Sequence, residues 1–80
     1  MRSKDKNNYI IDSVATGAKI KDFRTKKGIT ATKLAEMLGL SGKISVHKWE
    51  SGENVPTIDH LVVMSKIFKS RIDDIVVSLI

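Results

Sequence analysis

The chain has no cysteine among its 80 residues, which excludes both a disulfide framework and a thiolate metal site. That lack suits a reducing cytosol, so a cytoplasmic location is expected. Long apolar runs are also missing. The longest covers residues 61–64, far short of the roughly 20 residues that a membrane-spanning helix requires, and no membrane partner is expected. The opening residues, Met1-Arg2-Ser3-Lys4-Asp5-Lys6-Asn7-Asn8, are charged and lead into no extended apolar segment, unlike a secretory signal. The two histidines, His47 and His60, are isolated, so neither a metal nor another cofactor is expected. No catalytic constellation is apparent either. Ser45, His47 and Ser51 are neighbours in sequence without a carboxylate–histidine–serine arrangement, and so short a chain leaves little room for a pocket. The expectation is a non-enzyme with no small-molecule ligand.

What remains reads as one domain near the small end for independent folding. Residues 1–11 form an N-terminal arm and residues 12–80 the folded domain. Within the arm, Tyr9-Ile10-Ile11 is a short apolar anchor, either an edge strand or the point where the chain joins the core. Asp12 or Thr16 caps a first helix, with Gly17 leaving its start ambiguous. Ile20 and Phe23 give that helix a buried stripe, Lys26 and Lys27 favour its C-terminal dipole, and Gly28 ends it. Thr30 is a good N-cap for a second helix. Residues 51–56 form a loop punctuated by Gly52 and the single proline, Pro56. Thr57 caps a fourth helix with Ile58, Leu61, Met64, Ser65 and Phe68 at helical spacing. Ser70 with Asp73 is a weak capping signature for a short fifth helix carrying Ile72, Ile75 and Val76. The fold class is all-α, with five helices.

The densest information lies in residues 34–50. Leu34, Ala35 and Leu38 make one apolar face of a two-turn helix, and Gly39 stops it in the left-handed conformation that glycine takes without strain. Val46 and Trp49 form the inward face of the next helix, leaving Lys43, Ile44, His47 and Lys48 outside. Two short helices joined by a tight turn make a helix-turn-helix, whose second helix is of the kind that lies in a DNA major groove. Charge agrees. Residues 1–48 carry eleven Lys/Arg against four acids, a net +7, whereas residues 49–80 carry a net −2. A basic half containing the helix-turn-helix is a physical argument for a polyanionic partner, with a merely solvated basic face as an equal alternative on charge alone.

The pattern resembles the phage-repressor and Cro-type (XRE-like) helix-turn-helix family over roughly residues 18–76. The resemblance rests on Ile20…Phe23-Arg24…Lys27-Gly28-Ile29-Thr30, then Leu34-Ala35-Glu36-Met37-Leu38-Gly39-Leu40, Val46-His47-Lys48-Trp49-Glu50-Ser51-Gly52, Pro56…Leu61 and Ile72-Asp73-Asp74-Ile75. It implies a compact five-helix repressor-type DNA-binding domain with the helix-turn-helix as helices two and three. Two departures stand out. Ala31 replaces the glutamine usual at the start of helix two, which removes or moves a phosphate contact. One extra residue before Trp49 lengthens the turn, so helix three begins near Lys43. The family also implies that Arg24 pairs with Glu50, a structural ion pair, rather than touching phosphate.

Lys33 and Lys43 both fall at helix N-termini, where a cation is disfavoured by the dipole. Two such placements on the helices facing DNA suggest that phosphates supply the missing negative charge. His47 is a candidate base contact or simply solvent-exposed. Ile44 either meets a thymine methyl or packs on the lengthened turn. The sole tryptophan, Trp49, is read as core and not as a stacking residue. With Ser41, Ser45 and Lys48, the candidate DNA-binding set is Lys33, Ser41, Lys43, Ile44, Ser45, His47 and Lys48.

The function expected is a sequence-specific double-stranded DNA-binding regulator, with residues 43–50 as recognition helix. The alternative is a protein-interaction module or antitoxin of the same fold, bound to a toxin or another regulator. A homodimer is expected through Val63, Val76, Val77, Leu79 and Ile80, apolar surface that a short fifth helix cannot bury. The competing reading folds this tail back over Tyr9-Ile10-Ile11 within one chain.

Overall fold

A computed structural model describes residues 10–80; the arm residues 1–9, Tyr9 included, lie outside the described residues. Asp12 sits in extended backbone and its carboxylate accepts the Ala15 N–H at 3.0 Å, which starts α1, Ser13–Lys27. Gly28, at φ 78°, closes that helix by returning its N–H to the last turn. Thr30 repeats the device for α2, Ala31–Met37, accepting the Lys33 N–H at 3.0 Å. A hydroxyl cap of this kind contributes about 1 kcal/mol. Gly39, at φ 75°, turns the chain after α2, and Leu40 N–H bonds back to the Ala35 carbonyl at 2.9 Å. The lengthened turn occupies residues 38–43, and α3 runs Ile44–Ser51 with Lys43 as its N-cap. Thr57 caps α4, Ile58–Phe68, and α5 is Ile72–Ile75.

The core gathers one apolar stripe from every helix: Ile20, Leu34 with Ala35, Val46 with Trp49, Leu61 with Met64 and Phe68, and Ile75. Fully burying side chains of this size contributes about 1.5–3 kcal/mol each. Phe23 and Phe68 stack with centroids 5.5 Å apart. Helix α1 is the spine, lying against α3, α4 and α5, while α2 rests on α3. Among the described residues no helix is long and apolar enough to cross a membrane.

Three local expectations need correction. Ile58 does not join the buried stripe of α4; it is 63% exposed, because it opens the helix just after the cap and projects beyond the edge of the core. Ser70 and Asp73 do not cap α5. Arg71 is the N-cap, and its backbone N–H donates to the Asp74 carboxylate at 3.0 Å. Thr16 is not a cap either. It is buried, and its hydroxyl accepts the Val77 N–H at 2.9 Å.

That last bond belongs to a short pairing between the two ends of the described residues. Ile11 and Ser78 form an isolated antiparallel bridge, flanked by Asp12 N–H to Val77 carbonyl at 2.8 Å and Leu79 N–H to Ile10 carbonyl at 2.6 Å. The tail thus folds back on residues 10–12 in the same chain. Val76 packs on the core, Val77 is half-buried, and Leu79, Ile80 and Val63 remain exposed.

Candidate nucleic-acid interface

Helix α3 is divided sharply between two faces. Val46 is fully buried and Trp49 is 5% exposed, whereas Ile44 is 69% exposed. Lys43, His47 and Lys48 stand exposed with Ile44, and Ser45 is half-buried between the faces. Positions 43, 44 and 47 share one side of a helix, so they present a cation, an aliphatic group and an imidazole together at the N-terminal half of α3. No side chain caps that end. Ser41 and Lys43 stand exposed beside it, and an uncapped helix N-terminus favours an anion.

Lys33 comes from the first turn of α2. Its ammonium is 3.8 Å from Glu36, and that of Lys48 is 3.9 Å from Glu53, with all four side chains largely exposed. Pairs this long and this wet are worth little, so both ammonium groups are only weakly held by their carboxylates. Ala31, at the position of the usual glutamine, is 7% exposed and packs in the core.

The frame behind this face is cross-linked by side-chain hydrogen bonds. The Arg24 guanidinium donates through Nε to Glu50 Oε2 at 2.6 Å and through Nη2 to Oε1 at 3.1 Å, while Nη1 donates to the Ile29 carbonyl at 3.0 Å. One side chain therefore ties α1, the loop before α2, and the end of α3. Hydrogen bonding to Glu50 raises the Arg24 pKa above its ordinary value, against the lesser opposing effect of burial. Gly17, in α1, lies directly under the backbone of Trp49 and Glu50. Trp49 itself packs on His60, with ring centroids 5.3 Å apart, and the His60 Nδ1 is 3.1 Å from the Thr57 hydroxyl. The sequence pattern did not reveal Gly17 as a contact point. The one signal was a glycine inside a helical segment, where alanine would be preferred.

Two short helices held at a fixed angle, the second basic and apolar on its outer side, define a helix-turn-helix domain. The Helix-turn-helix family model matches residues 20–75, and the chain belongs to that family, in its phage-repressor and Cro-type form. It is 39% identical over 57 residues to the HTH-type transcriptional activator BcrR of Enterococcus faecalis, a match covering 71% of this chain and 28% of that protein's length. Among solved structures, the P22 c2 repressor in complex with synthetic operator 9T superposes with a TM-score of 0.67 and 28% identity, covering 72% of this chain and 86% of the other. The restriction-modification controller protein C.AhdI of Aeromonas hydrophila shares the fold at a TM-score of 0.71 and 22% identity, covering 80% of this chain and 96% of the other.

Proposed function

We propose that this chain is a cytoplasmic, sequence-specific double-stranded DNA-binding transcriptional regulator, with α3 lying in the major groove. The observation that carries the reading is the division of α3, where an isoleucine 69% exposed shares the outer face with Lys43 and His47. An aliphatic group gains nothing from water there, and a thymine methyl would cover it. Lys43 and His47 would reach base edges, while Lys33, Ser41, Ser45 and Lys48 would hold phosphates and fix the register. The named activity of the Enterococcus relative and the operator-bound state of the P22 repressor favour the same reading. Selection of duplexes from a random-sequence library, followed by a salt titration of the recovered duplex, tests it. The expected result is an enriched motif whose affinity falls steeply as salt rises; equal affinity at low and high salt would defeat the reading.

The regulator acts as a two-fold dimer on half-sites about one helical turn apart. Leu79 at 59%, Ile80 at 97% and Val63 at 39% exposure supply apolar surface for the partner, with Val76 and Val77 beneath them. Sedimentation of the full chain and of the Ile80→Glu variant separates this from a monomer. A full-length chain that stays monomeric at micromolar concentration removes the dimer from the proposal.

A further inference from the structure

We propose that Gly17 is a positioning residue for DNA reading: the side chain it lacks sets how closely the C-terminal turn of α3 lies on α1, and hence where Lys43, Ile44 and His47 stand. This rests on the reading of α3 as the recognition helix.

Glycine inside a helix is disfavoured relative to alanine, so its place within the 15-residue α1 calls for a cause. A Cβ at residue 17 would overlap the Trp49 carbonyl oxygen and lie 3.0 Å from both the carbonyl carbon and the carbonyl oxygen of Glu50. These are backbone atoms, which cannot rotate away as a flexible side chain can. The Trp49 carbonyl already accepts the Gly52 N–H at 3.1 Å, closing α3. Two further contacts hold the same turn. Gly52 sits against Val14, where an added Cβ would come within 2.7 Å of Val14 Cγ2, and Glu50 is held by Arg24. The C-terminal turn of α3 thus rests on α1 at Val14, Gly17 and Arg24.

Helix α3 has eight residues, a stiff rod roughly 12 Å long. A displacement at residues 49–52 is therefore carried to residues 43–47. Relieving the overlap demands movement on the order of 1 Å, enough to spoil hydrogen bonds to base edges. Long lysine side chains follow a phosphate over that distance easily, so discrimination suffers more than general affinity.

The test compares Gly17→Ala with Ala18→Gly. Residue 18 is the exposed neighbour, and its glycine variant weakens the helix without touching α3. The probes are the duplex that the wild-type chain recovers from a random library and poly(dI-dC) as non-specific DNA. Ala18→Gly keeps the full ratio of specific to non-specific affinity. Gly17→Ala still unfolds cooperatively and still binds poly(dI-dC), but its ratio falls about fivefold or more for each base pair whose contact is lost. Glu50→Ala also becomes less harmful to stability in the Gly17→Ala background, because Arg24 and Glu50 have been drawn apart. A Gly17→Ala chain that retains both the ratio and the Arg24–Glu50 coupling overturns the proposal. So does one without a cooperative transition, or one that loses both affinities in step, since Gly17 is then a packing residue alone. If the wild-type chain enriches no duplex, the DNA reading itself fails, and the coupling, which needs no DNA, still decides whether Gly17 sets the spacing of α1 and α3.

Discussion

The hydroxyl of Thr16, buried in α1, accepts the backbone N–H of Val77, 61 residues away, at 2.9 Å. This bond anchors the tail to the helix that also carries α3. Thr16→Val should remove the acceptor while keeping the shape, leaving the Val77 donor unpaired at a cost of about 1–2 kcal/mol. Thr16→Ser should retain most of the stability. Urea melts decide it, and equal midpoints for all three chains would show that the tail is not held through this bond.

Arg24→Ala and Glu50→Ala should each destabilise the fold by about 2–3 kcal/mol, below the roughly 3–5 kcal/mol of a fully buried pair, since the side chains are 12% and 7% exposed. The double variant should cost less than the sum. Arg24→Lys should restore little, because an ammonium cannot reach both Glu50 oxygens and the Ile29 carbonyl at once. Strict additivity in thermal melts would mean that the two residues do not couple.

Lys33→Ala should weaken binding to every duplex alike and reduce the slope of log affinity against log salt by about one unit. A change confined to one operator sequence would instead make Lys33 a base contact.

Alanine at Lys43, Ile44 or His47 should relax preference at particular base pairs by about 1–3 kcal/mol and spare affinity for random DNA. Discrimination that survives the triple variant would point to readout through DNA shape.

Lys69 ends α4 in the left-handed conformation, at φ 53°, where a residue with a Cβ carries about 1–2 kcal/mol of strain. Lys69→Gly should raise stability by about 0.5–1 kcal/mol after the greater freedom of the unfolded glycine is deducted. A lowered melting temperature would reveal contacts of the lysine that outweigh the strain.

Helix boundaries set by local chemistry could be read from the sequence. Asp12, Thr30 and Thr57 cap, and Gly28 and Gly39 terminate, through bonds to residues three to five positions away. The inward pair Val46 and Trp49 followed from spacing alone. What escaped depends on distant chain or on backbone. Ile58 fits the period of α4, but the edge of the core is a tertiary boundary. Arg71 caps through its backbone N–H, which no side-chain preference announces, and nothing about Lys69 signals a left-handed turn. In sequence Gly17 reads as an ambiguity in where α1 begins, because its reason is the α3 backbone lying on it. The Arg24–Glu50 pair was expected through family resemblance, since 26 positions of separation carry no periodic signal. For the tail, spacing alone leaves two fates open, a partner surface or a fold back on residues 9–11, because both bury the same apolar residues.

The bridge between Ile11 and Ser78 brings the two ends of the described residues side by side. A domain with adjacent ends can be rewired. A short glycine-rich linker from Ile80 to Ile10, with new termini opened in the exposed loop at residues 53–54, would give a circular permutant that keeps every helix and the turn before α3 intact. Such a permutant would also convert the Ile11–Ser78 pairing from a contact between distant segments into one closed by a short loop, lowering the entropy lost in forming it.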